Sequence, residues 1–307
     1  MPSNQVSAPS SPALRHEFLA GLVIAIIGAI LFSAKAIFAK LIYRYQVDAV
    51  TMLGFRMLFS VPFFAAVAVW QGRKAKPLSA GDAARVVFLG LIGYYLSSFL
   101  DFIGLQYITA GLERLILFLT PSFVLLISVF FLKKRIGLRE WLALLISYGG
   151  TVLVFLHDVG TGGSNVALGG AFVLASAMTY AVYLILSGEL VQRVGSLRLV
   201  AYAMCVSSAA SILQFFLLRP VETLVQPEPV YVLSILNAVF STVLPVFITM
   251  VAVQRIGAPT TSQAGMIGPV STLFMGAVFL DEPMTAIQLA GTALVLTGIY
   301  VLSRKKT

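Results

Sequence analysis

FLAGLVIAIIGAILFSA, residues Phe18 to Ala34, holds no charged side chain and nothing more polar than one serine in seventeen positions. As a helix it would rise about 26 Å at 1.5 Å per residue, most of a bilayer core. A cleavable signal has an apolar region of about 7–15 residues followed by a small-residue cleavage site. This run is longer and continues past Lys35 as Ala36-Ile37-Phe38-Ala39. It reads as a retained first membrane span. The segment before it, residues 1–17, is rich in Ser and Pro and reads as a disordered cytoplasmic tail.

The rest of the chain repeats this pattern. Of 307 residues 59% are apolar and only 11% charged, and mean hydropathy is +0.96. A soluble domain carries about 25% charged residues, so the chain cannot keep this much apolar surface in water. Ten segments reach the length a bilayer requires: Phe18–Ile42, Val50–Trp70, Ala84–Gln106, Leu112–Leu132, Leu138–Leu156, Leu168–Leu190, Leu197–Leu218, Val230–Val253, Thr260–Leu280 and Thr285–Leu302. The fold class expected is an all-α integral membrane protein. Its short connections make neighbouring spans antiparallel, and no soluble domain fits between them.

Net charge is +9, yet the basic residues sit in short clusters between apolar runs and form no nucleic-acid-binding face. Fifteen of them fall on one side: Arg15, Arg73, Lys74, Lys76, Arg85, Lys133, Lys134, Arg135, Arg139, Arg193, Arg198, Arg255, Arg304, Lys305 and Lys306. The other side holds Arg44 and Arg219, with Lys40 at a span end. By the positive-inside rule both termini are cytoplasmic, in the inner membrane of a bacterial cell. An even number of spans satisfies this placement.

The two halves also resemble each other. Gln106-Tyr107-Ile108-Thr109-Ala110 aligns with Gln254-Arg255-Ile256-Gly257-Ala258 at an offset of 148, and at that offset Pro121 meets Pro269, Phe131-Leu132 meets Phe279-Leu280, and Gly150 meets Gly298. Each unit has five spans, so the second must enter the membrane upside down. The expected organisation is a first repeat over 18–156, an external linker over 157–167, an inverted second repeat over 168–302, and a cytoplasmic tail over 303–307.

Phe279-Leu280-Asp281-Glu282-Pro283, followed by Gln288-Leu289-Ala290-Gly291 and Gly298-Ile299-Tyr300, resembles the acidic turn and glycine-bearing last helix of EamA-type transporters of the drug/metabolite transporter superfamily. The first repeat departs at the matching place, reading Phe131-Leu132-Lys133-Lys134-Arg135, while Trp141, Gly149 and Gly150 still fit. Within the superfamily the general likeness is to aromatic amino-acid exporters of the YddG kind. The resemblance implies a ten-helix carrier with a central cavity and a peripheral last helix in each repeat.

Ionisable side chains inside a span cost roughly 2.5–3.5 kcal/mol on insertion scales and so face a cavity or a partner. Lys35, Arg56, Asp101, Glu113 and Arg114 all fall in the outer third of the membrane. Their counterparts, near Leu184, Cys205, Thr249, Thr261 and Ser262, are uncharged. The first three are expected to line the outer cavity or a gate of breakable ion pairs; for Glu113 and Arg114, near a span end, snorkelling and static pairing compete with that role.

Tyrosine, hydroxyl and amide residues make a second set. Tyr94 and Asp101 lie two turns apart with Ser97 and Ser98 between them, and Ser176, Tyr180, Tyr183 and Ser187 follow one stripe. Asn237, Ser241 and Thr242 come from the eighth span, and Thr260, Gln263 and Met266 from the ninth. The candidate cavity takes Tyr94, Ser98, Tyr180, Tyr183, Asn237, Gln263 and Met266 from these, ring faces for a side chain and polar groups for its ends. Pro62, Pro121, Pro245 and Pro269 lie inside spans and are candidate kinks, the last three as hinges. Gly149, Gly150, Gly291 and Gly298 suit close helix packing.

Gly160-Thr161-Gly162-Gly163 lacks the lysine of a nucleotide-binding loop. One cysteine, Cys205, and two distant histidines, His16 and His157, offer no disulfide framework and no metal cluster. The reading is a non-enzymatic secondary transporter exporting amino acids of broad range by alternating access, without ATP, cofactor or metal. Its partners are a small-molecule substrate and membrane lipids, with no nucleic acid, and the chain acts as a monomer or weak homodimer. The alternatives are an exporter of drugs, nucleosides or sugar phosphates, and a channel.

Overall fold

The computed structural model describes residues 12–132, 137–162 and 165–303. The chain there is helical: α1 (Pro12–Tyr43), α2 (Ala49–Lys74), α3 (Ala80–Leu105), α4 (residues 110–132), α5 (Leu138–Gly162), α6 (Val166–Val194), α7 (Ser196–Leu218), α8 (Glu228–Gly257), α9 (Thr260–Leu280) and α10 (Ala286–Ser303). Among the described residues nine helices are long and apolar enough to cross a membrane, and α10 is a shorter apolar helix. Along α1 the exposed Leu19, Val23, Ile27 and Ile30 recur at helical spacing, an apolar stripe turned outward.

Several boundaries differ from expectation. α1 begins at Pro12, so residues 12–17 of the expected disordered tail are helical; proline's fixed φ suits a first helical turn. α5 continues through His157 and Asp158 to Gly162, and α6 begins at Val166, which shortens the expected 157–167 linker to a few residues. The remainder of the tail (1–11), residues 163–164 of the linker, Lys133–Arg135 and Arg304–Lys306 lie outside the described residues.

Local chemistry sets the helix ends. Asp48 caps α2, its Oδ1 accepting from the backbone N–H of Val50 at 2.8 Å and of Thr51 at 3.2 Å. Thr109 caps α4 by accepting from Leu112 N–H at 3.1 Å and donates its own hydroxyl to Asp158 Oδ2 at 3.0 Å. Gly195 (φ 89°) and Gly257 (φ 77°) turn the chain between α6 and α7 and between α8 and α9, in a region that favours glycine.

Four helices are interrupted, and the interruptions correspond. α3 passes through a π-helical stretch at Gly90–Leu96 and α8 through one at Val239–Val243. α4 breaks at Phe118-Leu119 and resumes as Thr120–Leu132; α9 breaks at Gly265-Met266 and resumes as Ile267–Leu280. Each pair obeys the offset of 148 to within one residue. Pro121 and Pro269 lie in the first turns of the resumed pieces, where an N–H would lack an intrahelical partner in any case. These two start half-helices, whereas Pro62 lies within α2 and Pro245 follows the π-helical stretch of α8, where the backbone stays helical.

Packing pairs α5 with α10, α2 with α7, α4 with α9, α1 with α8 and α9, and α6 with α3 and α4. Advancing every helix number by five exchanges these pairings among themselves. α5 and α10 approach closely: a Cβ on Gly150 would lie 2.6 Å from the Gly291 carbonyl oxygen, and one on Gly298 would lie 2.6 Å from the Ala143 carbonyl oxygen. Gly149 faces open space, with nothing within 4 Å of such a Cβ, and takes no part in the contact. The main core packs Met52, Leu53, Phe55 and Phe64 of α2 against Phe102 and Leu105 of α3.

Candidate functional site

A membrane-embedded charge is costly unless it is paired, and five such charges converge where α1, α2, α3 and α4 meet. Lys35, Arg56, Asp101, Glu113 and Arg114 are 7%, 4%, 2%, 0% and 6% exposed. The Thr109 cap places Glu113 and Arg114 in the first piece of α4, and the last piece of α3 delivers Asp101 beside them. Lys35 Nζ donates to Asp101 Oδ2 at 2.5 Å and lies 3.2 Å from Glu113 Oε1, an ion-pair contact without hydrogen-bond alignment. One ammonium thus serves two carboxylates.

The two guanidinium groups are held differently. Arg56 Nε donates to Thr242 Oγ1 at 2.8 Å, and its guanidinium carbon stands 5.1 Å from the centre of the Phe102 ring. Lys35 Nζ is 5.5 Å from that same ring centre. Arg114 lies between the rings of Phe32 and Phe118, at 5.2 and 5.4 Å. Such contacts stabilise a desolvated cation by about 2 kcal/mol. Among the described residues Arg56 Nη1 and Arg114 Nε are buried without a hydrogen-bond partner, and no donor hydrogen-bonds Asp101 Oδ1 or either Glu113 oxygen, the two carboxyls lying against each other. A buried polar atom left so costs about 1–3 kcal/mol, more when charged. The cluster is therefore under-satisfied as it stands.

Asn237 joins this set through Thr242. The Thr242 hydroxyl donates to the Asn237 carbonyl at 3.1 Å, Ser241 donates to Asn237 Oδ1 at 2.5 Å, and the Asn237 amide points to Met52 Sδ at 3.8 Å. The tyrosines form a separate group: Tyr94 and Tyr183 hydroxyls are 3.2 Å apart, and the rings of Tyr94, Tyr180 and Tyr183 have centres 5.0 to 6.4 Å from one another. Gly93 admits this packing, since a Cβ there would meet the Tyr183 ring. Beside it Ser97, not Ser98, bonds α6, with Ser176 Oγ donating to the Ser97 carbonyl at 2.7 Å. Ser98 is half-buried.

Of the residues expected to share one cavity, Lys35, Arg56, Asp101 and Asn237 are linked, and Tyr94, Tyr180 and Tyr183 cluster apart from them. Gln263 is exposed on α9, and Met266, at the α9 break, packs against the core cluster to which Leu112, Leu115 and Ile116 belong. Phe32, Phe102 and Gly268 touch the cluster and were not expected. In a sequence with 22 Phe, ring residues carry no distinguishing signal.

Nearer the α4 N-terminus, Glu282 reaches across from the α9–α10 turn. Both its carboxylate oxygens accept from Ala110 N–H at 3.1 Å, and Lys40 Nζ is 4.0 Å away. Burial pushes the Glu282 carboxyl up from its usual range, against the pull of the Ala110 N–H and Lys40. Asp281 turns the chain there in the left-handed region, φ 59°. A cavity of about 190 Å³ opens beside this turn, lined by Lys40, Tyr107, Thr109, Asp158, Pro283 and Gln288 among others.

Known proteins match along the whole chain. The EamA-like transporter family model matches twice, over residues 19–156 and 167–304, segments that begin 148 residues apart. The uncharacterized transporter YcbK of Bacillus subtilis is 32% identical over 92% of this chain and 94% of its own. An uncharacterized transporter of Archaeoglobus fulgidus is 27% identical over 73% of this chain and 79% of its own. A solved structure titled "Crystal structure of protein" superposes with a TM-score of 0.64 at 18% identity, covering 92% of this chain and 96% of that one, which shows likeness of fold. With apolar helices throughout, transporter relatives along nearly its full length and two family matches in tandem, the chain is a multi-pass membrane transporter and belongs to the EamA-like transporter family.

Proposed function

We propose that this protein is a secondary carrier that exports small amphipathic solutes, amino acids first and aromatic ones among them, by alternating access and without ATP. Its ten helices act as spans in two inverted repeats of five, with both termini cytoplasmic in the inner membrane of a bacterial cell. One observation carries the reading: two pairs of interrupted helices, matched at an offset of 148, with a buried and under-satisfied charge cluster against them. Carriers built from inverted repeats place their sites beside discontinuous helices near the midplane and rock one unit against the other. The exchange symmetry of the helix pairings supports that arrangement. The solute class is read from chemistry: the rings of Phe32, Phe102 and Phe118 offer apolar faces beside the charges, which offer polar ends.

The deciding experiment is counterflow in liposomes containing only this protein, preloaded in turn with amino acids, nucleosides, a sugar phosphate and a cationic drug. Saturable exchange of amino acids is expected. Movement of only another class would overturn the substrate assignment, and flux without counterflow would identify a channel. Topology is tested with single cysteines in a Cys205→Ser background: a probe restricted to the outside should label position 46 and spare position 76.

A further inference from the structure

We propose that Arg114 binds the carboxylate of the transported solute at the point where the second piece of α9 begins. The inference rests on the carrier reading above and adds the charged group that the solute must bring.

The first argument is charge balance. The cluster holds three cations, Lys35, Arg56 and Arg114, and two carboxylates, Asp101 and Glu113, all at least nine-tenths buried. Lys35 engages both carboxylates, and among the described residues neither guanidinium has a carboxylate within 4.0 Å. Arg56 is satisfied in part by Thr242, while Arg114 has ring faces beside it and an unpartnered Nε. One positive charge is left without a counterion in an apolar setting, where its electrostatic attraction for an anion is strongest.

The second argument is where that charge sits. A Cβ built on Gly268 would fall 2.6 Å from Arg114 Nη2, 3.2 Å from its Nε and 3.1 Å from Ser33 Oγ. The guanidinium therefore rests on the backbone of the second residue of Ile267–Leu280, a 14-residue helix that starts at the α9 break. A helix N-terminus carries partial positive charge and attracts anions. Here it is met by a buried cation, so two positive sources converge at one point. An anion placed there relieves both.

The third argument is the shape of the donor. A guanidinium presents parallel N–H groups that match a carboxylate bidentately, which an ammonium does not. Phe32 and Phe118 supply apolar walls. Together these groups fit a carboxylate borne on an apolar body.

The test compares phenylalanine with its amide, which keeps ring and ammonium and lacks the carboxylate, in counterflow by wild type, Arg114→Gln, Arg114→Lys and Gly268→Ala. Wild type should prefer the acid by about tenfold or more, the range of a hydrogen bond to a charged group. Arg114→Gln should erase that preference, Arg114→Lys should restore part of it, and Gly268→Ala, which displaces the guanidinium and keeps its charge, should weaken it. Should Arg114→Gln fail to fold, Gly268→Ala and Arg114→Lys carry the same comparison. Retention of the acid preference in these variants, or equal loss for acid and amide, overturns the proposal. If wild type moves no amino acid, the substrate reading fails separately, and benzoate then decides the carboxylate site. Protection from thermal unfolding by benzoate that requires Arg114 supports the site, and protection that is absent or independent of Arg114 refutes it.

Discussion

Replacing Lys35 by Met should harm the protein more than removing either carboxylate it serves. At 2.5 Å from Asp101 and 3.2 Å from Glu113, the ammonium attracts them with roughly 7 and 5 kcal/mol before desolvation, at an effective dielectric of about 20. Asp101→Asn breaks the shorter contact and leaves Lys35 within ion-pair reach of Glu113, so a loss of about 1.5–3 kcal/mol is expected. Lys35→Met instead removes the one ion-pair contact that either carboxylate makes among the described residues, and breaking a buried pair from one side costs about 3–5 kcal/mol. The assay is the temperature at which purified protein in mild detergent loses its monodisperse form, at one fixed heating rate because unfolding of such proteins is commonly irreversible. The expected order is wild type, then Asp101→Asn, then Lys35→Met. Equal stability of the two variants, or Asp101→Asn falling below Lys35→Met, would refute the claim that one ammonium holds both carboxylates.

Adjacent glycines should behave oppositely. Gly150→Ala places a Cβ 2.6 Å from the Gly291 carbonyl oxygen and 2.8 Å from Leu294 Cβ and should cost about 1–3 kcal/mol, whereas Gly149→Ala meets nothing and should be neutral or stabilise by up to about 1 kcal/mol through helix propensity; the same thermal assay ranks them. Acid should act through Asp48: although burial raises its carboxyl, hydrogen bonds from Arg219 and Thr51 outweigh that and hold it below its usual 3.8. A folded-state value below the unfolded one gives stability that is present at neutral pH and lost as pH falls through that lowered value. The stability difference between wild type and Asp48→Asn, which keeps a capping side chain, should therefore shrink below about pH 4.

The sequence shows the charge cluster because the bilayer penalises such residues: five charges at one depth in four spans have few places to go except toward one another. Depth counting at 1.5 Å per residue is enough to bring Lys35 and Asp101 to the same level, and the structure adds the direct contact. The half-helix starts are half visible. Pro121 and Pro269 mark two of them, yet a proline inside an apolar run reads equally as a kink in a continuous helix, and the break is fixed by the Phe118-Leu119 and Gly265-Met266 backbone. The π-helical stretches at Gly90–Leu96 and Val239–Val243 leave no sequence mark, since they change hydrogen-bond register without changing composition. Separation of the tyrosine group from the charges is likewise invisible, because stripes on single helices do not say which neighbour each stripe meets.

The Glu282 cap over Ala110 has no counterpart of the same kind under the offset of 148. Position 258 is again Ala, but position 134 is Lys, whose ammonium has no acceptor to offer a helix N-terminus and carries the sign that such a terminus repels. On the inverted-repeat reading, a clasp of this chemistry would therefore serve one end of the carrier and have no acidic equivalent at position 134. Where two closed forms of a carrier differ by about 1.4 kcal/mol, one is occupied ten times as often as its mirror form. On the inverted-repeat reading, the asymmetry at position 134 sets a resting preference, so that the doorway held shut by Glu282 opens less readily than the opposite one and a solute arriving from the basic side is met first.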